Sequence, residues 1–207
     1  MIGIIGAGGH AKVTLDILSN QSPGQLVTFF ADTVDPFFHS YPRLPGDRNT
    51  ILSMQTIIST WHVAIGDSKT RGAYLDFLKE QNLPTLNALH EKSIIASSVK
   101  LGDGISVIGA AVINPGATIG DGCIINTSAT VDHDCTLSSY VNIGPGSHLA
   151  GNVTVGKNSD LGAGVIVIPG VTIGEHCTIG AGSVVINDIP DHALAVGVPA
   201  RVIKTNI

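Results

Sequence analysis

A chain of 207 residues accommodates one large domain or two smaller ones, each able to bury a core. Charged residues make up only 13% and the mean hydropathy is +0.34, yet no unbroken apolar run approaches the roughly 18 residues of a membrane span, so these residues are expected to line a core and not a bilayer. The formal net charge of −5 argues against general nucleic-acid binding, which rewards clustered Lys and Arg, and the start Met1-Ile2-Gly3-Ile4-Ile5-Gly6 carries no basic leader or cleavage site, so a cytoplasmic location is expected.

In chain order, an apolar run at Ile2–Ile5 leads through a Gly-rich turn into a helical pattern around Ala11–Ser19, followed by a second apolar run at Leu26–Phe30. That is βαβ grammar. The turn Gly6-Ala7-Gly8-Gly9-His10-Ala11 fits Gly-x-Gly-x-x-Ala between a strand and a helix, where backbone N–H groups and the helix start can hold a phosphate. Asp32, at the end of the second predicted strand, stands where an acidic side chain can bond a ribose or a base. Asp35–Asn49, rich in Pro and aromatics, reads as a loop, and Val63-Ala64-Ile65 reads as a third strand leading into a helix from Lys69 to Glu80. Ile65-Gly66-Asp67 and Arg71 read as a plain helix entry with a solvated charge at least as well as a functional site. Pro84 marks the exit, giving an α/β Rossmann-like domain over 1–85.

From Ile95 the pattern changes. Every sixth residue is Ile, Leu or Val, through Leu101, Val107 and Ile113 to Ile179 and Val185, sixteen in succession. A six-residue period fits neither a 3.6-residue helix nor an amphipathic strand, so the segment is a solenoid. Four residues after each anchor comes a small or β-branched residue, among them Ala111, Ala117, Cys123, Ala129 and Cys135, expected to fill the interior. The residue following the anchor is often Gly, as at Gly102, Gly120, Gly144 and Gly156, and these glycines are read as the corners. All three cysteines fall in the interior small-residue position, so buried, inert thiols are expected, with neither a disulfide nor a metal thiolate.

This pattern resembles the hexapeptide-repeat family, whose left-handed parallel β-helix has three hexapeptides per triangular coil. The resemblance implies that residues differing by 18 stack, and that residues 86–207 form the β-helix with a C-terminal tail. Gly6-Ala7-Gly8-Gly9-His10 together with Val131-Asp132-His133-Asp134-Cys135, and the ending Val196-Gly197-Val198-Pro199-Ala200-Arg201, are similar to the sialic acid O-acetyltransferase and bacillosamine N-acetyltransferase family. That likeness implies that His133 is the general base, that Asp134 orients it, and that the N–H of Gly151, one coil further on, stabilises the oxyanion. It also implies that Gly6, Gly8, Gly9, His10 and Asp32 meet a nucleotide-sugar substrate. Asn142 stands where members often carry a second histidine, and it is carried as a substrate contact; Ala31-Asp32 stands where some carry two aspartates. Gly151, Ala163, Ala181, Lys157 and Arg201 would line the acetyl-CoA path, the two cations near its phosphates, since no Lys or Arg lies between Lys100 and Lys157. A homotrimer with inter-subunit active sites is implied too, and the unbroken repeat has no long loop to close a cleft by itself.

The chemistry agrees with this reading. Amine attack on a thioester needs a base near neutral pKa, and a neighbouring carboxylate fixes its tautomer. The expected reaction moves acetyl from acetyl-CoA to the 4-amine of a UDP-linked 4-amino-4,6-dideoxy sugar by direct attack, with no acyl-cysteine and no metal. Alternatives are O-acetylation of sialic acid and a non-catalytic nucleotide-sugar sensor. A dehydrogenase fails because only half of a double mononucleotide fold precedes the repeat. A zinc hydratase fails on phase, since His133, His148 and His176 fall at 2, 17 and 9 in the 18-residue coil counted from Ile95.

Overall fold

The computed structural model describes residues 1–205. Its N-terminal unit is a four-stranded parallel sheet in the order β3-β2-β1-β4, from β1 (Ile2–Ile5), β2 (Val27–Phe30), β3 (Arg43–Leu44) and β4 (Thr60–Val63). Helices α1 (Gly9–Gln21), α2 (Arg48–Ser53) and α3 (Ser68–Glu80) connect and cover it. Every residue of β1 is buried, as a central parallel strand covered on both faces requires.

Three expectations change. The Asp35–Asn49 segment is not merely a loop: it holds a 3-10 turn at Pro36–Phe38 and the strand β3, and Arg48 and Asn49 already open α2. The third strand is Thr60–Val63 and not Val63–Ile65. Hydropathy hides it because His62 interrupts the pattern, although that imidazole is fully buried and satisfied: Nδ1–H donates to Leu86 O at 3.0 Å, and Nε2 accepts from Ser106 Oγ at 3.1 Å. Arg71 is not a solvated charge. It is 1% exposed, and its guanidinium donates to the carbonyls of Ile65, Gly66, Gly122 and Tyr140 at 2.6–3.0 Å.

Beyond Ala88 the chain is a parallel β-helix of two-residue strands, with residue i paired to residue i + 18 throughout the repeat, as in Thr130 with His148 and Asn142 with Asp160. Its three faces are distinct. Face A carries Ile94, Val112, Thr130, His148, Ile166 and Val184 outward; face B carries Lys100 and then Thr118, Thr136, Thr154 and Thr172. Face C carries Ser106, Ile124, Asn142, Asp160 and Thr178, and the N-terminal unit lies on it. From Ile105 on, the anchors and small interior residues form one continuous buried core, with the half-buried Ile95, Val99 and Leu101 packed against its first coil, and the three thiols lie inside it. Burial pushes the Cys123 thiol up to about 12, which keeps it protonated and unreactive. At the end, Ala193–Val196 joins face C and pairs antiparallel with Arg201–Thr205.

The corner glycines also need a correction. Every sixth residue from Gly104 to Gly182 has a positive φ, and these lie three positions after the anchors, not one. Glycines just after the anchors instead seat the next coil: a Cβ on Gly144 would stand 2.5 Å from Leu161 O. Close stacking, not turning, selects glycine there.

Candidate active site

The corner between faces A and B carries Asp132-His133-Asp134. Asp134 occupies the left-handed position, φ 59°, which Asp tolerates better than most side chains. From there its Oδ2 accepts a hydrogen bond from His133 Nδ1–H at 2.8 Å. A carboxylate can only accept, so the proton sits on Nδ1 and the Nε2 lone pair is free to take one. That bond, with the charges of Asp132 and Asp134 adding to it, holds the imidazole pKa above its ordinary 6.5. Gly151 lies one coil later, and a Cβ there would meet His133 Cε1 and Nε2 at 2.5 Å, so only glycine lets the ring lie against this backbone. Among the described residues, the N–H of Gly151 has no backbone acceptor. The corner therefore presents a base and an unengaged donor side by side, the minimum for acyl transfer.

A second set of groups gathers at the carboxyl ends of the N-terminal strands, where open α/β sheets bind ligands. Gly6, with φ +104°, turns the chain from β1, and a Cβ there would stand 2.8 Å from Ala64 O. Gly8 caps α1 without any side-chain hydrogen bond, whereas Asp47 and Asp67 cap α2 and α3 with theirs. Gly8 and Gly9 are exposed with open space before them, so the first N–H groups of α1 are available to an anion. Beside them, Gly6, Asp32, Gly46, Thr70 and Tyr74 line a cleft of about 350 Å³, adjoining one of about 520 Å³ lined by Asp32, Tyr41 and Arg43. Asp32 Oδ1 accepts from Gly46 N–H at 3.1 Å, leaving Oδ2 for a ligand. His10 turns inward from the start of α1; burial first, then the charges of His62 and Arg71, lower its pKa to about 4. It is a neutral hydrogen-bonding group, not a phosphate's counter-charge. Tyr41 and Arg43 escaped the sequence reading because their segment read as a loop; its aromatics and its Arg were the only signal there.

The remaining predicted residues are dispersed over one protomer. Ala163 and Ala181 stack at the corner between faces C and A, and neither N–H has a backbone acceptor among the described residues. Both belong to the edge opposite His133 across face A. Asn142 lies on face C beside Asp160, whose carboxylate takes a hydrogen bond from Ser68 Oγ at 3.2 Å and whose pKa is raised by burial. Lys157 stands at the corner between faces B and C, its Nζ 5.4 Å from the centre of the Tyr140 ring. Arg201 is exposed on the terminal strand and donates to Ala200 O. Within one protomer, then, the structure joins His133, Asp134 and Gly151, and separately Gly6, Gly8, Gly9 and Asp32, but not the two groups with each other or with Ala163 and Ala181. His148 bonds Thr130 Oγ1 on face A while His176 stacks on His192 at the B–C corner, and no group of three or more possible metal ligands occurs among the described residues. No helix among them is long and apolar enough to cross a membrane.

Residues 1–78 match the family model described as the PglD N-terminal domain. Among solved structures, PerB from Caulobacter crescentus, in complex with CoA and GDP-perosamine, is 40% identical, with 98% of this chain and 97% of that chain covered and a TM-score of 0.90. The acetyltransferase domain of PglB from Neisseria gonorrhoeae, in complex with acetyl coenzyme A, is 31% identical over 98% of each chain, also with a TM-score of 0.90. WeeI from Acinetobacter baumannii, at 23% identity over 98% of this chain and 99% of that chain with a TM-score of 0.72, shares the fold. A search of curated proteins finds no match. With a PglD-type N-terminal unit, a parallel β-helix and relatives this similar over nearly their whole length, the chain belongs to the PglD-like family of hexapeptide-repeat sugar acetyltransferases.

Proposed function

We propose that this protein transfers acetyl from acetyl-CoA to the amine of a nucleotide-linked 4-amino-4,6-dideoxy sugar. The observation that carries the reading is the His133–Asp134 pair set against Gly151, with the Nε2 lone pair free and the Gly151 N–H unengaged. In the reaction, the sugar amine attacks the thioester carbonyl carbon as His133 Nε2 takes its proton. The negative charge that develops on the carbonyl oxygen falls to the Gly151 N–H. Collapse of the tetrahedral adduct breaks the C–S bond, and the imidazolium returns its proton to the departing CoA sulfur. Asp134 keeps the proton on Nδ1 at the start and stabilises the imidazolium in between.

The nucleotide-sugar rests on the uncapped α1 terminus and on Asp32, with neutral His10 as a hydrogen-bonding partner beneath. The UDP-linked sugar is the substrate implied by the bacillosamine resemblance. A GDP-linked sugar is the second reading, favoured by the 40% identity to PerB, whose structure holds GDP-perosamine. Cytoplasmic action is part of the same proposal, since both substrates are water-soluble metabolites.

A homotrimer completes the site. Face A and its edge with face B expose Ile94, Ile166, Ile168 and Ile186, whereas face B itself presents a polar row of threonines, so A is the face that gains most from cover. Covering face A between copies brings the His133 corner of one toward the Ala163–Ala181 corner of the next, where acetyl-CoA would run. Lys157 and Arg201 remain as candidates for its phosphates.

The deciding assay is thiol release from acetyl-CoA with UDP- and GDP-linked 4-amino-4,6-dideoxy sugars, free sialic acid and CMP-sialic acid as acceptors. Turnover of an amino sugar that falls about 10²–10⁴-fold in His133→Ala supports the reading. Turnover confined to sialic acid moves the protein to O-acetylation, and binding of a sugar nucleotide without any turnover makes it a sensor.

A further inference from the structure

The corner that presents His133 is braced from the preceding coil by a residue outside the base pair itself. Asp132 Oδ1 accepts two hydrogen bonds, from the backbone N–H of His133 at 2.7 Å and from the side-chain amide of Asn114 at 2.8 Å. Asn114 and Asp132 are separated by one coil and lie in register, with Asn114 N–H donating to Val131 O. The same carboxylate oxygen thus ties the peptide that sets the His133 backbone to an amide anchored one coil away. Asp134 has no equivalent brace: its own backbone N–H bonds Pro115 O, and its carboxylate is spent on the imidazole.

We propose that Asn114 is a positioning residue for the general base, holding Asp132 so that its carboxylate fixes the His133 peptide and, through it, the direction of Nε2. The inference rests on the reading of His133 as the base. The energetic argument is one of freedom. His133 and Asp134 are exposed, so neither is locked by packing, and hydrogen bonds must hold the corner instead. A carboxylate anchored by its neighbour's N–H alone can rotate about its Cα–Cβ bond; a second donor from a separate coil removes that rotation. The ionisable groups that act on the imidazole are Asp132 and Asp134, and the two donors to Asp132 hold its carboxyl below the usual range, so it stays charged wherever His133 can act as a base.

The test uses the full-length protein with Asn114→Ala, Asp132→Ala, the double variant, Asp132→Asn and His133→Ala, each checked for an unchanged melting transition. Asn114→Ser is the fallback if the alanine variant melts early. Expected results are a fall in kcat of roughly ten-fold for Asn114→Ala with both KM values within about two-fold, and a double variant no slower than Asp132→Ala alone, because the amide acts only through that carboxylate. Asp132→Asn removes a negative charge that favours the imidazolium, so the acidic limb of its kcat/KM profile moves to lower pH. Additive losses in the double variant, a change confined to KM, or Asn114→Ala at more than half of wild-type kcat while His133→Ala is inactive would each overturn the brace. Retained activity in His133→Ala would instead remove the underlying base assignment, a separate outcome read from a separate variant.

Discussion

His133 is exposed, yet its two ring nitrogens are not equivalent, and that asymmetry governs how activity should follow pH. Asp134 raises the imidazole pKa above 6.5, and a base must be neutral to act, so kcat/KM should fall as pH drops through a midpoint above 6.5. Asp134→Asn should move that limb to lower pH and reduce kcat as well, because an amide can donate to Nδ1 and force the proton onto Nε2. An unchanged midpoint in a pH–rate series would contradict this account. Gly151→Ala is a steric test of the same corner: its Cβ has no room beside the ring, so kcat should fall about 10²-fold with little change in melting temperature. That His133, Asp134 and Gly151 come together was legible because the first two are neighbours in the chain and the resemblance, with three hexapeptides per coil, stacks residues that differ by 18. Asn114 could not, since its meaning depends on one side chain reaching another across coils.

At the level of elements, α3 is the piece that welds the N-terminal unit to the β-helix. Ser68 reaches Asp160, Arg71 reaches Gly122 and Tyr140, Asp76 accepts from the Tyr140 hydroxyl, and Lys79 pairs with Asp121, so the helix is tied to the prism from its first turn to its last. Arg71 is central because it also holds the carbonyls of Ile65 and Gly66 beside the cleft at the carboxyl ends of β1 and β2. Arg71→Met leaves four carbonyls without that donor and should lower unfolding free energy by about 3 kcal/mol or more, measured from the denaturant midpoint. Arg71→Lys should recover little, as an ammonium cannot span the same fork. Sequence reasoning found the helix but misjudged this residue, for a charge four positions into an amphipathic helix gives no sign that another domain covers it. The same blindness hid β4, whose buried His62 is satisfied by Leu86 and Ser106 from outside the strand.

Across the whole molecule, the proposed active site is divided between edges that one chain cannot bring together. Mixing His133→Ala with a variant blocked at the other edge, Ala163→Trp, therefore offers a direct check. If sites form between copies, co-expressed inactive variants should regain about a quarter of wild-type turnover, the fraction of interfaces built from two intact edges. No recovery would mean that each chain works alone. The repeat made the prism readable, because every coil obeys the same spacing, whereas nothing in that spacing says which face a neighbour covers. The i-to-i + 18 pairing also limits how such a protein can change length. Adding or losing 18 residues moves everything beyond the join by one step along the axis and leaves each side chain on its own face. Losing six residues turns the downstream chain by a third of a revolution and presents the polar threonine row where the isoleucines stood, whereas gaining six brings the face-C row of Asn142 and Asp160 there instead. Whole turns of the coil are thus the changes in length that leave every face as it is.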